Sequence, residues 1–83
     1  MGDNERVFTI KLQGKLKKHV KGKVSVKVIG GDLVIDIVSE DKIKYRSIVS
    51  DIFPRIEQGC SPDKMSRTII AEYKRFILTK FFN

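Results

Sequence analysis

Tryptophan is absent from this chain, and cysteine and histidine occur once each, as Cys60 and His19. One cysteine excludes an intrachain disulfide, and one Cys with one His cannot assemble a Cys/His zinc site within a single chain. Cys60 is read as a loop or partly buried thiol between two helices, and no metal or cofactor is expected. No apolar run approaches the roughly 18 residues of a membrane span, and no apolar segment near the start resembles a signal peptide. Met1-Gly2 opens like a myristoylation site, but Arg6 stands where that motif needs Ser or Thr. These absences predict a cytoplasmic protein with no membrane partner. Acidic residues are missing where basic ones are densest. Between Val7 and Gly31 there are seven lysines (11, 15, 17, 18, 21, 23, 27) and no Asp or Glu. The other ten basic residues are matched by ten acidic ones, so the whole formal charge of +7 resides in this one stretch.

Eighty-three residues, 41% of them hydrophobic, suffice for one domain spanning 1–83 but leave no room for a second core. The strongest local pattern is a hairpin from Lys23 to Val38. Two alternations, Val24-Val26-Val28 and Leu33-Ile35-Ile37, flank Ile29-Gly30-Gly31-Asp32. A two-residue turn needs positive φ, which Gly30-Gly31 supplies without steric cost. Pairing about that turn sets Val28 against Leu33, Val26 against Ile35 and Val24 against Ile37, all on one face. Lys23, Ser25 and Lys27 then share the other face with Val38, Asp36 and Val34, and Asp36 is expected diagonal to Lys27.

Upstream, residues 1–6 read as a frayed polar start. Val7–Leu12 alternates, with Phe8, Ile10 and Leu12 on one face, and predicts a half-buried strand. Gly14–Gly22 predicts a long loop with Leu16 and Val20 dipping inward. Downstream, the alternation in Lys42–Arg46 competes with a helical spacing of Tyr45, Ile48/Val49, Ile52/Phe53 and Ile56. A helix begun at Ser39 would bury Pro54 in its interior at a cost of about 3 kcal/mol, so a strand to about residue 48 is preferred. A short helix then runs from Ser50, its cap, to Gln58, and Gly59 ends it. Ser61-Pro62-Asp63 is a serine cap, a first-turn proline and an acid, and starts a helix reaching Phe82. Met65, Ile69, Ile70, Tyr73, Phe76, Ile77 and Phe81 share one arc of it, and Lys64, Arg67, Lys74 and Arg75 the opposite arc. The fold class is α+β: an antiparallel sheet of three or four strands, a short helix, and a long C-terminal helix on one face.

No nucleophile–base arrangement, paired carboxylates or phosphate-binding glycine loop is present, so neither an enzyme nor a small-molecule substrate is expected. His19, set among lysines, is read as a solvent-facing loop residue. Lys15, Lys17, Lys18, Lys21, Lys23 and Lys27 are the candidate contacts to a polyanion, either nucleic acid or an acidic protein surface. Lysine gives point charges rather than bidentate base readout, and no aromatic residues are interleaved for stacking on single strands. A nucleic-acid contact would therefore address the backbone with little sequence preference. Against this stands the plainer role of lysines as a solubilising edge that discourages sheet pairing. Leu78 and Phe82, apolar residues within the polar arc, are the candidate partner interface, including that of a homodimer.

Gly30-Gly31, Ser61-Pro62-Asp63 and the Ile69–Phe82 helix, in a short lysine- and isoleucine-rich chain with strands first and helices last, resemble the small accessory proteins of phages and integrative elements of Gram-positive bacteria. The resemblance is one of element order and carries no functional residue. It implies a protein that binds host factors or nucleic acid rather than one that catalyses.

Overall fold

The computed structural model describes residues 2–82, as α1 (Gly2–His19), β1 (Gly22–Ile29), β2 (Asp32–Ser39), β3 (Lys44–Val49), α2 (Ile52–Glu57) and α3 (Pro62–Phe82). The three strands form an antiparallel sheet in the order β1-β2-β3, and the fold is α+β. The hairpin has the register that its alternation dictates. Val24 pairs with Ile37, Val26 with Ile35 and Val28 with Leu33, while Gly30 and Gly31 turn with φ of 57° and 82°. The third strand continues the pattern, Tyr45, Ser47 and Val49 lying beside Ile37, Ile35 and Leu33 on the inner face.

The hairpin tip is clamped by the segment that follows the sheet. Ile52 N–H donates to the Gly31 carbonyl at 3.0 Å, and Asp51 N–H donates to the Asp32 carboxylate at 3.2 Å. Asp51 itself takes a left-handed conformation (φ 52°) and precedes α2 without a side-chain cap bond. The cap expected of Ser50 is therefore replaced by a backbone tie to the hairpin. Pro54 sits in the first turn, where its missing N–H costs nothing. Gly59 ends α2 at φ 90°, with Gly59 N–H donating to the Ile56 carbonyl and Cys60 N–H to the Arg55 carbonyl. That pair of bonds is the Schellman arrangement. Ser61 caps α3 as its type and position require, its Oγ accepting from Lys64 N–H at 3.1 Å.

The N-terminal quarter departs from the alternating pattern. Apart from Met1, which lies outside the described residues, the stretch read as a frayed start, strand and loop is a single helix from Gly2 to His19. Phe8, Leu12 and Leu16 recur every four residues, stack on one side of it and are buried, as is Val20 just beyond. Ile10, which a strand would place beside Phe8 and Leu12, points outward and is 63% exposed. One apolar cluster joins α1 (Phe8, Leu12, Leu16), the inner sheet face (Val24, Val26, Leu33, Ile35, Ile37), Ile52, and α3 (Met65, Ile69, Ile70, Tyr73). Both long helices thus cover the same face of a three-stranded sheet, and a fourth strand is absent among the described residues. Phe81, placed by its arc in the core, is instead 58% exposed.

Candidate functional site

Because α1 replaces a strand and loop, the lysine-rich segment is mostly helical. Lys15, Lys17 and Lys18 lie on α1, Lys21 on the link to β1, and Lys23 and Lys27 on the outer face of β1. Lys17, Lys18 and His19 occupy the last turn of α1, where positive charge complements the carbonyl end of the helix. His19 accordingly closes a helix rather than lying in a loop.

The structure divides the six candidate lysines. Lys15 turns toward α3, is half-buried, and its Nζ lies 3.4 Å from an Asp63 carboxylate oxygen. Its charge faces a carboxylate at the surface, unlike those of the other five. Asp63 also receives Arg67 at 3.3 Å. Lys17, Lys18, Lys21, Lys23 and Lys27 are exposed, and among the described residues none has a carboxylate at ion-pair distance. Lys17 reaches around the β1 edge, so that Lys17 and Lys23 line one concavity with Gly22, Ser25, Asp36 and Val38. Helix end and outer sheet face therefore form one basic surface wrapped about β1.

Among the described residues, the helices pack on the inner face and leave the outer face of the sheet without a helix. Across it run the rows Lys23–Val38–Lys44, Ser25–Asp36–Arg46 and Lys27–Val34–Ile48. Asp36 does not pair diagonally with Lys27. Its carboxylate accepts two hydrogen bonds from the Arg46 guanidinium, at 2.7 and 3.2 Å. Arg46 lies directly opposite on β3, and its planar fork matches a carboxylate where a lysine ammonium does not. Asp36 raises the pKa of Arg46, first through the hydrogen bond and then through its charge. Lys23, Lys27 and Lys44 are left as the uncompensated cations of this face, and Lys44 joins the set that sequence reasoning assembled. Its signal was the strand alternation of Lys44-Tyr45-Arg46, which fixes its side of the sheet once β3 is paired.

The other candidate surface lies at the far end of α3. Leu78 is 56% and Phe82 82% exposed. With Phe81 they are spaced i, i+3 and i+4, which makes them neighbours on the helix surface. A concavity of about 410 Å³ opens beside them, and its lining includes Tyr73, Ile77 and Phe81 of α3, Val20 and Lys21, and the acids Glu40 and Asp41.

Among the described residues, no three His, Cys, Asp or Glu side chains gather as a metal site requires. No described helix is long and apolar enough to cross a membrane. No protein-family model, no curated protein and no solved structure matches the chain.

Proposed function

We propose that the chain is a non-enzymatic, cytoplasmic accessory protein that binds a polyanion, foremost a nucleic-acid backbone, through Lys17, Lys18, Lys21, Lys23 and Lys27, with Lys44 beside them. One observation carries this reading. Five cations from the acid-free segment stand exposed about one sheet edge with no described carboxylate at ion-pair distance, while Lys15, Arg46 and Arg67 each have one. Unpaired surface cations concentrated in one region give a field that a polyanion neutralises, releasing its condensed counterions. Lysines without a forked donor or a stacking ring favour contact with phosphates over base edges.

The test is a salt titration of binding to random-sequence duplex and single-stranded DNA. If the five lysines each meet a phosphate of the duplex, the log–log slope is about −4.5, or roughly 0.9 per contact. Replacing Lys17, Lys18 and Lys21 by Ala should flatten it by about 2.7. Lys15→Ala, which removes a cation already facing Asp63, should leave the slope unchanged. Absence of binding at about 50 mM salt, where such contacts are strongest, refutes the reading.

The exposed ridge Leu78–Phe81–Phe82 favours a second reading, a protein-interaction module or homodimer joined through α3. Apolar side chains clustered on one helix end mark contact surfaces more often than scattered ones do. Sedimentation over a range of concentrations, repeated with Leu78→Glu and Phe82→Glu, tests it. A chain that stays monomeric at every concentration rules out the homodimer.

A further inference from the structure

Beyond the basic surface about β1, the opposite edge of the sheet has the features of a binding site for a peptide strand. Among the described residues β3 pairs only with β2, so every second residue along it directs its backbone N–H and C=O away from the sheet. Next to this edge lies a concavity of about 590 Å³. Its walls include Ser47, Ile48, Val49 and Ser50, four consecutive residues. Successive strand side chains point to opposite faces, so four in a row border one hollow only where the hollow runs along the backbone edge. The far wall is α3, which meets β3 chiefly through Tyr45. The Tyr45 ring lies 5.6 Å from that of Tyr73 and 5.1 Å from that of Phe76, and its hydroxyl donates to Glu72 at 3.3 Å. Past Tyr45 the hollow stands between the two elements, with Val49, Met65 and Ile69 bordering it on the apolar side.

We propose that the free edge of β3 accepts an extended acidic segment of a partner protein as a fourth strand of the sheet. The incoming backbone completes the hydrogen-bond ladder along Ser47–Ser50, and alternate side chains of the segment descend into the hollow beside Val49, Met65 and Ile69. Charge selects the occupant. Arg55 and Lys64 border the hollow. Arg55 commits only its Nε, to the Ser50 carbonyl at 2.8 Å, and Lys64 has no carboxylate at ion-pair distance among the described residues. Glu72, the one acid of the lining, is engaged by the Tyr45 hydroxyl. A second copy is disfavoured at this edge. Each chain carries +7, and a second copy at this edge would set the Arg55 and Lys64 rim of one hollow against a chain of the same sign. Acidic residues alternating with apolar ones satisfy both the hollow and its rim.

The test titrates the full-length 15N-labelled protein with an N-acetylated, C-amidated heptapeptide, Glu-Val-Thr-Val-Asp-Val-Glu. Amide shifts should change along Ser47–Ser50 and along the Lys64–Glu72 side of α3, with slowed exchange of the outward β3 amides. Methylating the central valine nitrogen of the peptide deletes a ladder donor and should weaken binding at least tenfold. Joint replacement of Arg55 and Lys64 by Glu, or of the peptide's acids by Lys, should do the same. The N-methyl peptide requires no change to the protein, so the test survives a variant that fails to fold. Absence of shifts at about 1 mM peptide overturns the proposal. So do shifts confined to α1 and the outer sheet face, equal binding of the N-methyl or lysine peptide, or β3 shifts that appear with protein concentration alone. DNA binding in the salt titration is read independently, so either result stands without the other.

Discussion

Leu12→Ala and Ile10→Ala, taken as a pair, decide the conformation of the N-terminal segment. If residues 7–12 formed a strand, Phe8, Ile10 and Leu12 would share a buried face and both substitutions would cost alike. In α1, Leu12 is fully buried whereas Ile10 is mostly exposed. Leu12→Ala removes three buried carbons, about 2.4 kcal/mol of transfer free energy at roughly 0.8 per methylene. The cavity left among Phe8, Leu16 and their neighbours raises this to about 2.7–5 kcal/mol. A domain of this size holds about 4–12 kcal/mol in all, so the loss is a large share of its stability. Ile10→Ala, on the solvent side of a helix, should stay within about 0.5 kcal/mol of the parent, because alanine's better helix propensity offsets the small apolar loss. Urea unfolding followed by circular dichroism measures both, with equal slopes confirming a common unfolded state. Melting points should separate by about 4–8 °C for each kcal/mol. An Ile10→Ala variant as destabilised as Leu12→Ala refutes the helix.

Gly14 is exposed at mid-helix, and the Cβ it would gain meets nothing within 4 Å beyond its own stretch of helix backbone, so Gly14→Ala should stabilise by about 0.4–1 kcal/mol in the same urea assay. A loss of stability would mean that the chain needs glycine's freedom there. Ser61→Ala deletes the bond to Lys64 N–H and should cost about 1 kcal/mol, whereas Ser50→Ala, which caps nothing, should cost little. Burial foremost, and then the charges of Glu72 and Asp41, raise the pKa values of Tyr45 and Tyr73 respectively above the ordinary value near 10. The folded chain therefore holds these protons more tightly than the unfolded chain does. Their contribution is complete below about pH 10 and is lost as the pH climbs through the raised values. Urea midpoints should fall less steeply above pH 10 in Tyr45→Phe than in the parent, and parallel curves would contradict this.

The pattern of the N-terminal segment misleads for a definite reason. Val7 to Leu12 alternates over six residues, which meets the strand template, and the glycine at position 14 looks like a break. The competing spacing, Phe8-Leu12-Leu16-Val20, extends over a longer window. It is obscured because Val7 and Ile10 are apolar yet exposed, which blurs the polar side of the helix. A mid-helix glycine costs only about 1 kcal/mol relative to alanine, and burying three large side chains outweighs that cost. Position 14 thus marked no boundary. The ambiguity over residues 42–48 resolved as the alternation and Pro54 together implied, because pairing Tyr45 with Ile37 and Ser47 with Ile35 keeps the inner face continuous.

Of the candidate surface, the sequence alone settled where the charge is, since +7 and its confinement to residues 7–31 are matters of counting. It also fixed the hairpin register, because a one-residue slip would turn every valine and isoleucine to the wrong face. The start of α3 was equally legible, because serine, proline and aspartate act through bonds within four residues of one another. Tertiary structure decided the rest. Whether Phe8–Leu16 is helix or strand depends on which face its neighbours offer to bury, and the backbone preferences differ by less than that burial is worth. That Lys15 meets Asp63, forty-eight residues away, and that Asp36 takes Arg46 rather than Lys27, follow from the packing of α1 against α3 and of β3 against β2. A charge's partner is set by distance in space, which no local spacing encodes.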